Sequence, residues 1–202
     1  LTETRQRKTI FIGDFWNDGV YTGGCMAGGR LYFHITSNGN VEPCVFCHFT
    51  VGNVLRRELK DILSNDFFRA LRYEQPYSDN GNLYTPCAII DNPHILRRLI
   101  REYGIGPSHT GAESLVENDR IVRHLDRYAA RMKELCGDEW ERDHHDNPES
   151  EWHRTLGRRQ KEQWAAEREY LEEWHRKRES ARNRERAGER SDRKSESVGG
   201  SR

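Results

Sequence analysis

The chain has 202 residues, 34% hydrophobic and 33% charged, and its 33 Lys and Arg balance 33 Asp and Glu for a formal net charge of +0. That length allows one or two domains, and the neutral balance gives no electrostatic case for a nucleic-acid partner. No apolar run reaches the ~18 residues a membrane span needs, and the N-terminus lacks a secretory apolar core. A cytoplasmic protein is therefore expected. The first residue is Leu1 rather than Met, which suggests a piece of a longer protein.

Residues 1–9, "LTETRQRKT", read as a charged lead-in. Residues 10–137 have the composition of a modest folded domain, and residues 138–202 turn to Arg, Glu, Lys and Ser with few aliphatics. Thr9–Gly13 predicts a short strand, followed by a Gly- and Asp-rich loop. "RLYFHIT", Arg30–Thr36, alternates in the β manner. Asn38-Gly39 is a strong hairpin signal, because a type I′ turn needs positive φ at both central residues. "VEPCVFC" then predicts the return strand. With Asn38 and Gly39 as a two-residue turn, Ser37 faces Asn40, Cys44 faces Phe33 and Cys47 faces Arg30. Cys25 lies just before the first strand, across "MAGG", so the hairpin gathers Cys25, Cys44 and Cys47 toward one end.

Helices are predicted near Glu58–Leu63 and Asp66–Tyr73, with Leu59, Ile62 and Leu63, then Phe67, Phe68 and Leu71, on their apolar sides. "QPYSDNGNLYTPC" is loop. "DNPHILRRLIREYG" predicts a helix with Asn92 as N-cap, Pro93 in the first turn and Gly104 as the stop. A last helix over Asn118–Leu135 places Ile121, Val122, Leu125, Ala129, Met132, Leu135 and Cys136 on one face, and Gly137 is a natural end to it. In the tail, "KEQWAAEREYLEEWHRKRE" predicts a solvated helix carrying Trp164, Leu171 and Trp174. Beyond Ser180 too little apolar surface remains to offset the ordering entropy, and disorder is expected. The fold class expected is α+β: a small β-hairpin, then helices, then a charged tail.

Five cysteines carry the chemistry: Cys25, Cys44, Cys47, Cys87 and Cys136. Cys136 falls on the apolar face of the last helix and reads as a small buried hydrophobe. The other four stand in loops or strand ends beside glycine or proline. Disulfides suit small secreted frameworks, which this chain does not resemble. Structural zinc uses four thiolates, but ribbon sites usually bring two close C-x-x-C pairs, and here there is one pair and two lone cysteines. An iron–sulfur cluster takes ligands from widely separated places and favours glycine-rich loops whose N–H groups approach the sulfurs. A zinc-stabilised interaction module with a charged arm is the alternative to the cluster reading.

The spacing Cys25, Gly39, Cys44 is C-x13-G-x4-C. With "GDFWNDG", "GGCMAGGRLYFHITSNGNVEPC", "FFRALR", "QPY", "PCAIIDNPHILRRLIREYG" and "PSHTGAES", it resembles the SPASM/twitch auxiliary-cluster domains on the C-terminal side of radical SAM enzymes. The resemblance spans Ile10 to Val116. It implies that Cys25, Cys44, Cys47 and Cys87 hold one [4Fe–4S] cluster, with His48 as a substitute fourth ligand or an open iron as the alternatives at Cys47. It also implies an oxidoreductase-type radical reaction in which the cluster relays an electron or ligates substrate. Radical SAM chemistry needs a C-x3-C-x2-C loop on a barrel to bind S-adenosylmethionine, and no such motif occurs here. The barrel is then expected upstream or on a separate chain, and these residues alone should not cleave S-adenosylmethionine.

Other residues read as structural. Asp14, Asn17 and Asp18 suit an Asx-braced turn better than a substrate contact. His34, within a strand, reads as a satisfied structural histidine, and His109 in "PSHTG" as a loop brace. The interleaved charges of the tail read as a solvated face rather than an RNA contact.

Overall fold

The computed structural model describes residues 4, 7–9, 13–14, 18–78, 80–145, 147 and 158–199. It divides into two units, Leu1–Gly157 and Arg158–Arg202. The strand expected at Thr9–Gly13 falls mostly on residues 10–12, outside the described residues, as do Phe15, Trp16 and Asn17.

The first unit is α+β, as its pattern predicts. After a helical turn, α1 (Gly19–Thr22), come β1 (His34–Ile35), β2 (Asn40–Glu42), β3 (Phe49–Thr50) and β4 (Gly52–Asn53). Helices α2 (Leu59–Leu63), α3 (Asp66–Tyr73) and α4 (Pro93–Tyr103) follow, then β5 (Gly106–Pro107), α5 (Ser114–Glu117) and α6 (Asp119–Trp140), which runs into a π-helical turn, Glu141–His145. Strands β1, β2 and β4 form one antiparallel sheet in that order, and β3 pairs with β5.

The hairpin differs from its expected register by one residue. His34 pairs with Glu42 and Ile35 with Val41. The connection is a three-residue loop, Ser37-Asn38-Gly39, closed by Thr36 N–H donating to Asn40 O at 2.9 Å and Gly39 N–H to Thr36 O at 2.9 Å. Gly39 alone takes positive φ, at 85°, the signature of a type I turn followed by a left-handed glycine. Continued past the ladder, this register brings Tyr32 rather than Phe33 level with Cys44. The strands are also shorter than predicted. β2 ends at Glu42, because Pro43 cannot donate to a ladder. Cys44–Cys47 is a tight turn in which Cys47 N–H donates to Cys44 O at 2.9 Å, so Cys47 folds back beside Cys44 instead of facing Arg30.

The core forms where the helices meet the sheet. Ile62, Phe67, Phe68, Leu96, Leu99 and Val41 are all essentially inaccessible, and burying a side chain of that size contributes roughly 2 kcal/mol. Helix α3 begins and ends where predicted, with Asn65 Oδ1 accepting from Phe67 N–H at 2.7 Å as its N-cap. From the last turn of α3, Arg72 Nη1 donates to Gly28 O at 2.7 Å and ties the helix to the Cys25 loop. Helix α4 stops at Gly104, whose φ of 60° is the left-handed C-cap expected of it. At its other end Asn92 precedes the helix as predicted but makes no side-chain cap hydrogen bond.

Helix α6 runs through Gly137 to Trp140. Trp140 is buried with Val20, Leu83 and the edge of the Tyr84 ring, and its Nε1 donates to Asn80 O at 3.4 Å. An interior glycine costs a helix about 1 kcal/mol, less than the roughly 3 kcal/mol or more that a buried Trp contributes, so the packing carries the helix past the expected stop. The apolar stripe of α6 is only half covered: Ala129 is buried, whereas Ile121 is 37% and Leu135 54% exposed.

The second unit is one helix, α7 (Arg158–Gly199), which continues beyond Ser180, where disorder is expected. Its Arg, Glu, Lys and Ala are strong helix formers. Pairs at i,i+4, Arg168 with Glu172 at 3.0 Å and Lys177 with Glu173 at 2.6 Å, reinforce it. The side-chain surroundings of Trp164 lie outside the described residues.

Candidate metal centre

Three separate loops bring Cys25, Cys44, Cys47 and Cys87 to the lining of one cavity. Its space is about 330 Å³, including its opening toward solvent. Apolar groups complete the wall: Ala27, Pro43, Leu71, Ala88, Ile89 and Leu96, with the ring of Tyr77. All five cysteines of the chain are free thiols.

Each thiol is set by its own piece of backbone. Cys25 follows the left-handed Gly24, and its carbonyl accepts from Arg30 Nη1 at 3.4 Å. Burial pushes its thiol up to about 11, and the neighbouring Cys44 adds to this, while N–H groups of Ala27 and Ala88 and the charge of Arg30 act the other way. Cys44 opens the tight turn, and Phe46 N–H donates to its Sγ at 3.4 Å. Tyr32 holds the same turn: Val45 N–H donates to its hydroxyl at 2.6 Å. Cys47 is 2% exposed, and burial first, then Cys44 and Glu42, pushes its thiol well up.

Cys87 is the best braced of the four. Its N–H donates to Asp91 Oδ2 at 3.0 Å. Its carbonyl accepts from the Asp91 and Asn92 N–H groups at 3.1 and 3.0 Å and from Asn92 Nδ2 at 3.3 Å. Ile89 N–H donates to its Sγ at 3.4 Å. Burial pushes this thiol up to about 12, partly offset by the Ile90 N–H. Neutral thiols packed this way must lose their protons to bind metal, so metal uptake releases protons.

The remaining candidates stand apart from the cavity wall. His48 is half exposed, with Nδ1 3.7 Å from Glu42 Oε2, and its ring tilts against that of His109 at 4.7 Å between centroids. His34 Nε2 approaches the same carboxylate oxygen at 4.0 Å. Glu42 is fully buried and accepts a hydrogen bond from Ser108 Oγ on its other oxygen. Cys136 sits on α6, partly exposed, near Asp91 and Glu139. In the Asp-rich loop, Asp18 Oδ2 accepts from Asp14 N–H at 2.7 Å, the turn brace expected of it.

Tyr32, Tyr77 and Asp91, and the bracing role of Asn92, are features of the site that the sequence pattern does not single out. Tyr77 is the clearest signal in the structure, as a buried non-glycine residue at φ 69°, a conformation that tends to collect at functional sites. Burial, and then the nearby Cys25, pushes its hydroxyl pKa well up.

Among the described residues, no three His, Cys, Asp or Glu side chains are grouped closely enough to hold a single metal ion. Four thiolates around one zinc, at Zn–S ~2.3 Å, stand only ~3.8 Å from one another. The four cysteines line one cavity. The N–H groups directed at Sγ atoms are the surroundings an iron–sulfur centre takes.

No curated protein and no solved structure matches the chain. A family model does, that of SPASM, an iron–sulfur cluster-binding domain, over residues 25–89. The match begins at Cys25, ends two residues beyond Cys87 and contains every cysteine of the cavity. Residues 25–89 thus match the SPASM iron–sulfur cluster-binding domain.

Proposed function

We propose that Cys25, Cys44, Cys47 and Cys87 together hold one [4Fe–4S] cluster, and that this cluster is the auxiliary centre of a radical SAM enzyme whose barrel lies upstream or on another chain. The observation that carries the reading is the shared cavity: four thiols from three loops line one space, within the residues that match the SPASM model. When bound, the cluster supplies one-electron redox chemistry.

The chain's own part in that chemistry is to hold and shield. Four cysteines satisfy all four irons of a cubane, which favours electron relay over substrate ligation at an open iron. Leu71, Leu96, Ile89 and Tyr77 keep water from one side of the centre. The N–H groups of Phe46 and Ile89 point at Sγ atoms and stabilise thiolate charge. The oxidoreductase context follows from the resemblance to radical SAM auxiliary domains. Among the described residues no helix is long and apolar enough to cross a membrane.

The test is anaerobic reconstitution with iron and sulfide. A brown protein with about four irons and about four sulfides per chain is the expected result. A colourless protein that takes up one zinc and no iron would give the site to the d¹⁰ ion instead.

A further inference from the structure

We propose that Asp91 is a positioning residue for the centre: its carboxylate holds the Cys87 N–H and, as a buried negative charge beside that ligand, lowers the reduction potential of the bound cluster. The inference rests on the cluster reading above and extends it to a residue outside the ligand set.

Cys87 and Asp91 close on each other in both directions. Cys87 N–H donates to Asp91 Oδ2 at 3.0 Å, and Asp91 N–H donates back to Cys87 O at 3.1 Å. Inside the loop so closed, Ile89 N–H donates to Cys87 Sγ at 3.4 Å. The ligand is thereby set just ahead of α4. A carboxylate accepts an N–H more strongly than a neutral oxygen does. It is bonded here to the backbone of the very residue that carries the sulfur, so its charge stands within one residue's reach of the centre.

That charge is poorly screened. Asp91 is 4% exposed, and buried charges are screened far less than surface ones. Among the described residues it has no ion-pair partner. Glu42, the buried carboxylate near Cys44, differs in this: His34 and His48 approach one of its oxygens and Ser108 Oγ donates to the other. Burial pushes the Asp91 carboxyl up to about 6, with the Cys87 N–H and the more distant Lys133 of α6 acting the other way.

The consequence is electrostatic. A cluster gains one negative charge on reduction, and a fixed carboxylate beside a ligand repels it. The oxidised state is favoured and the potential falls. The Cys87 N–H, committed to Asp91, is also withheld from the sulfurs whose charge it would otherwise stabilise.

The experiment is a redox titration of the anaerobically reconstituted full chain at about pH 8, where a carboxyl of this kind is ionised. It is followed by electron paramagnetic resonance, with iron counted on each sample. Asp91→Asn keeps an oxygen for the Cys87 N–H and loses the charge. It is expected to take up the wild-type complement of iron and to titrate at a less negative midpoint. Asp91→Glu keeps the charge and is expected to titrate closer to wild type than Asp91→Asn does. A residue that only braced the loop would change iron retention without this ordering of midpoints. An unchanged or more negative midpoint in Asp91→Asn, or an equal shift in Asp91→Glu, overturns the inference and leaves the cluster reading standing. Failure of Asp91→Asn to load also overturns it, since the carboxylate would then serve assembly rather than potential. If Asp91→Glu fails to load, Asp91→Asn decides by its shift alone. A wild-type chain that takes up no iron defeats the cluster reading itself, and the inference with it.

Discussion

Asn92, at the head of α4, holds the carbonyl of Cys87 through its side-chain amide at 3.3 Å and that of Thr85 at 2.9 Å. The residue is completely buried, so these bonds are shielded from water and the Cys87 loop is fastened to a helix rather than left as a free strap. Asn92→Ala removes the side-chain amide and leaves the buried Thr85 carbonyl without this partner, while the Cys87 carbonyl keeps its two backbone donors, at a cost of about 2 kcal/mol. The variant should melt earlier and lose iron faster to a chelator than the wild type. Unchanged iron retention would mean that the loop is held by its backbone bonds alone.

Cys87 and Cys136 should separate cleanly. Cys87 lines the cavity, whereas Cys136 is a partly exposed residue of α6. Cys87→Ala is expected to lower both iron content and the melting temperature, because metal binding is coupled to folding. Cys136→Ala should keep the full iron count and cost no more than about 1 kcal/mol. Iron and sulfide assays beside thermal melts decide it, and an iron loss confined to Cys136→Ala would exchange the two roles.

Trp140 closes the first unit against Val20, Leu83 and Tyr84. Trp140→Ala is expected to destabilise that unit by roughly 3 kcal/mol or more, measured by denaturant unfolding of otherwise identical proteins. A loss within about 0.5 kcal/mol would mean that the last turn of α6 frays freely in solution.

The parts of the fold that were legible in the sequence are those governed by local chemistry. The α3 boundaries and the Gly104 stop follow from a cap, an apolar side and a left-handed glycine, all within a few residues of each other. The hairpin register was missed by one residue because Asn38-Gly39 is compatible with either a two- or a three-residue loop, and only the tertiary setting chooses. Asn92 was identifiable as the residue before the helix, but not as a brace, since its partners are the carbonyls of the loop behind it. The four ligand candidates were legible through their spacing and the family resemblance. Tyr32 and Tyr77 were not, because nothing local marks a tyrosine that folding will carry to the Cys44–Cys47 turn or to the cavity wall. The helix past Gly137 was hidden for a similar reason: the burial of Trp140 depends on Val20 and Leu83, far away in the chain.

Removing the cluster should loosen three places together. The proposed ligands come from the loops at Cys25, Cys44–Cys47 and Cys87, which the protein otherwise joins through hydrogen bonds such as Gly28 N–H to Pro43 O at 3.0 Å. Amide hydrogen exchange of chelator-stripped protein should rise around residues 24–29, 43–48 and 85–91, and much less in the middle of α4. Exchange rising equally throughout the unit would instead indicate global unfolding, with the centre required for the whole fold.

The central claim is that four cysteines hold one [4Fe–4S] cluster, and native mass spectrometry of the anaerobically reconstituted chain tests it most directly. The account predicts a single added mass of four irons and four sulfides per chain, lost or diminished on substitution of any one of Cys25, Cys44, Cys47 and Cys87 by alanine. An added mass of one zinc, or a full cluster that survives all four substitutions, would contradict it.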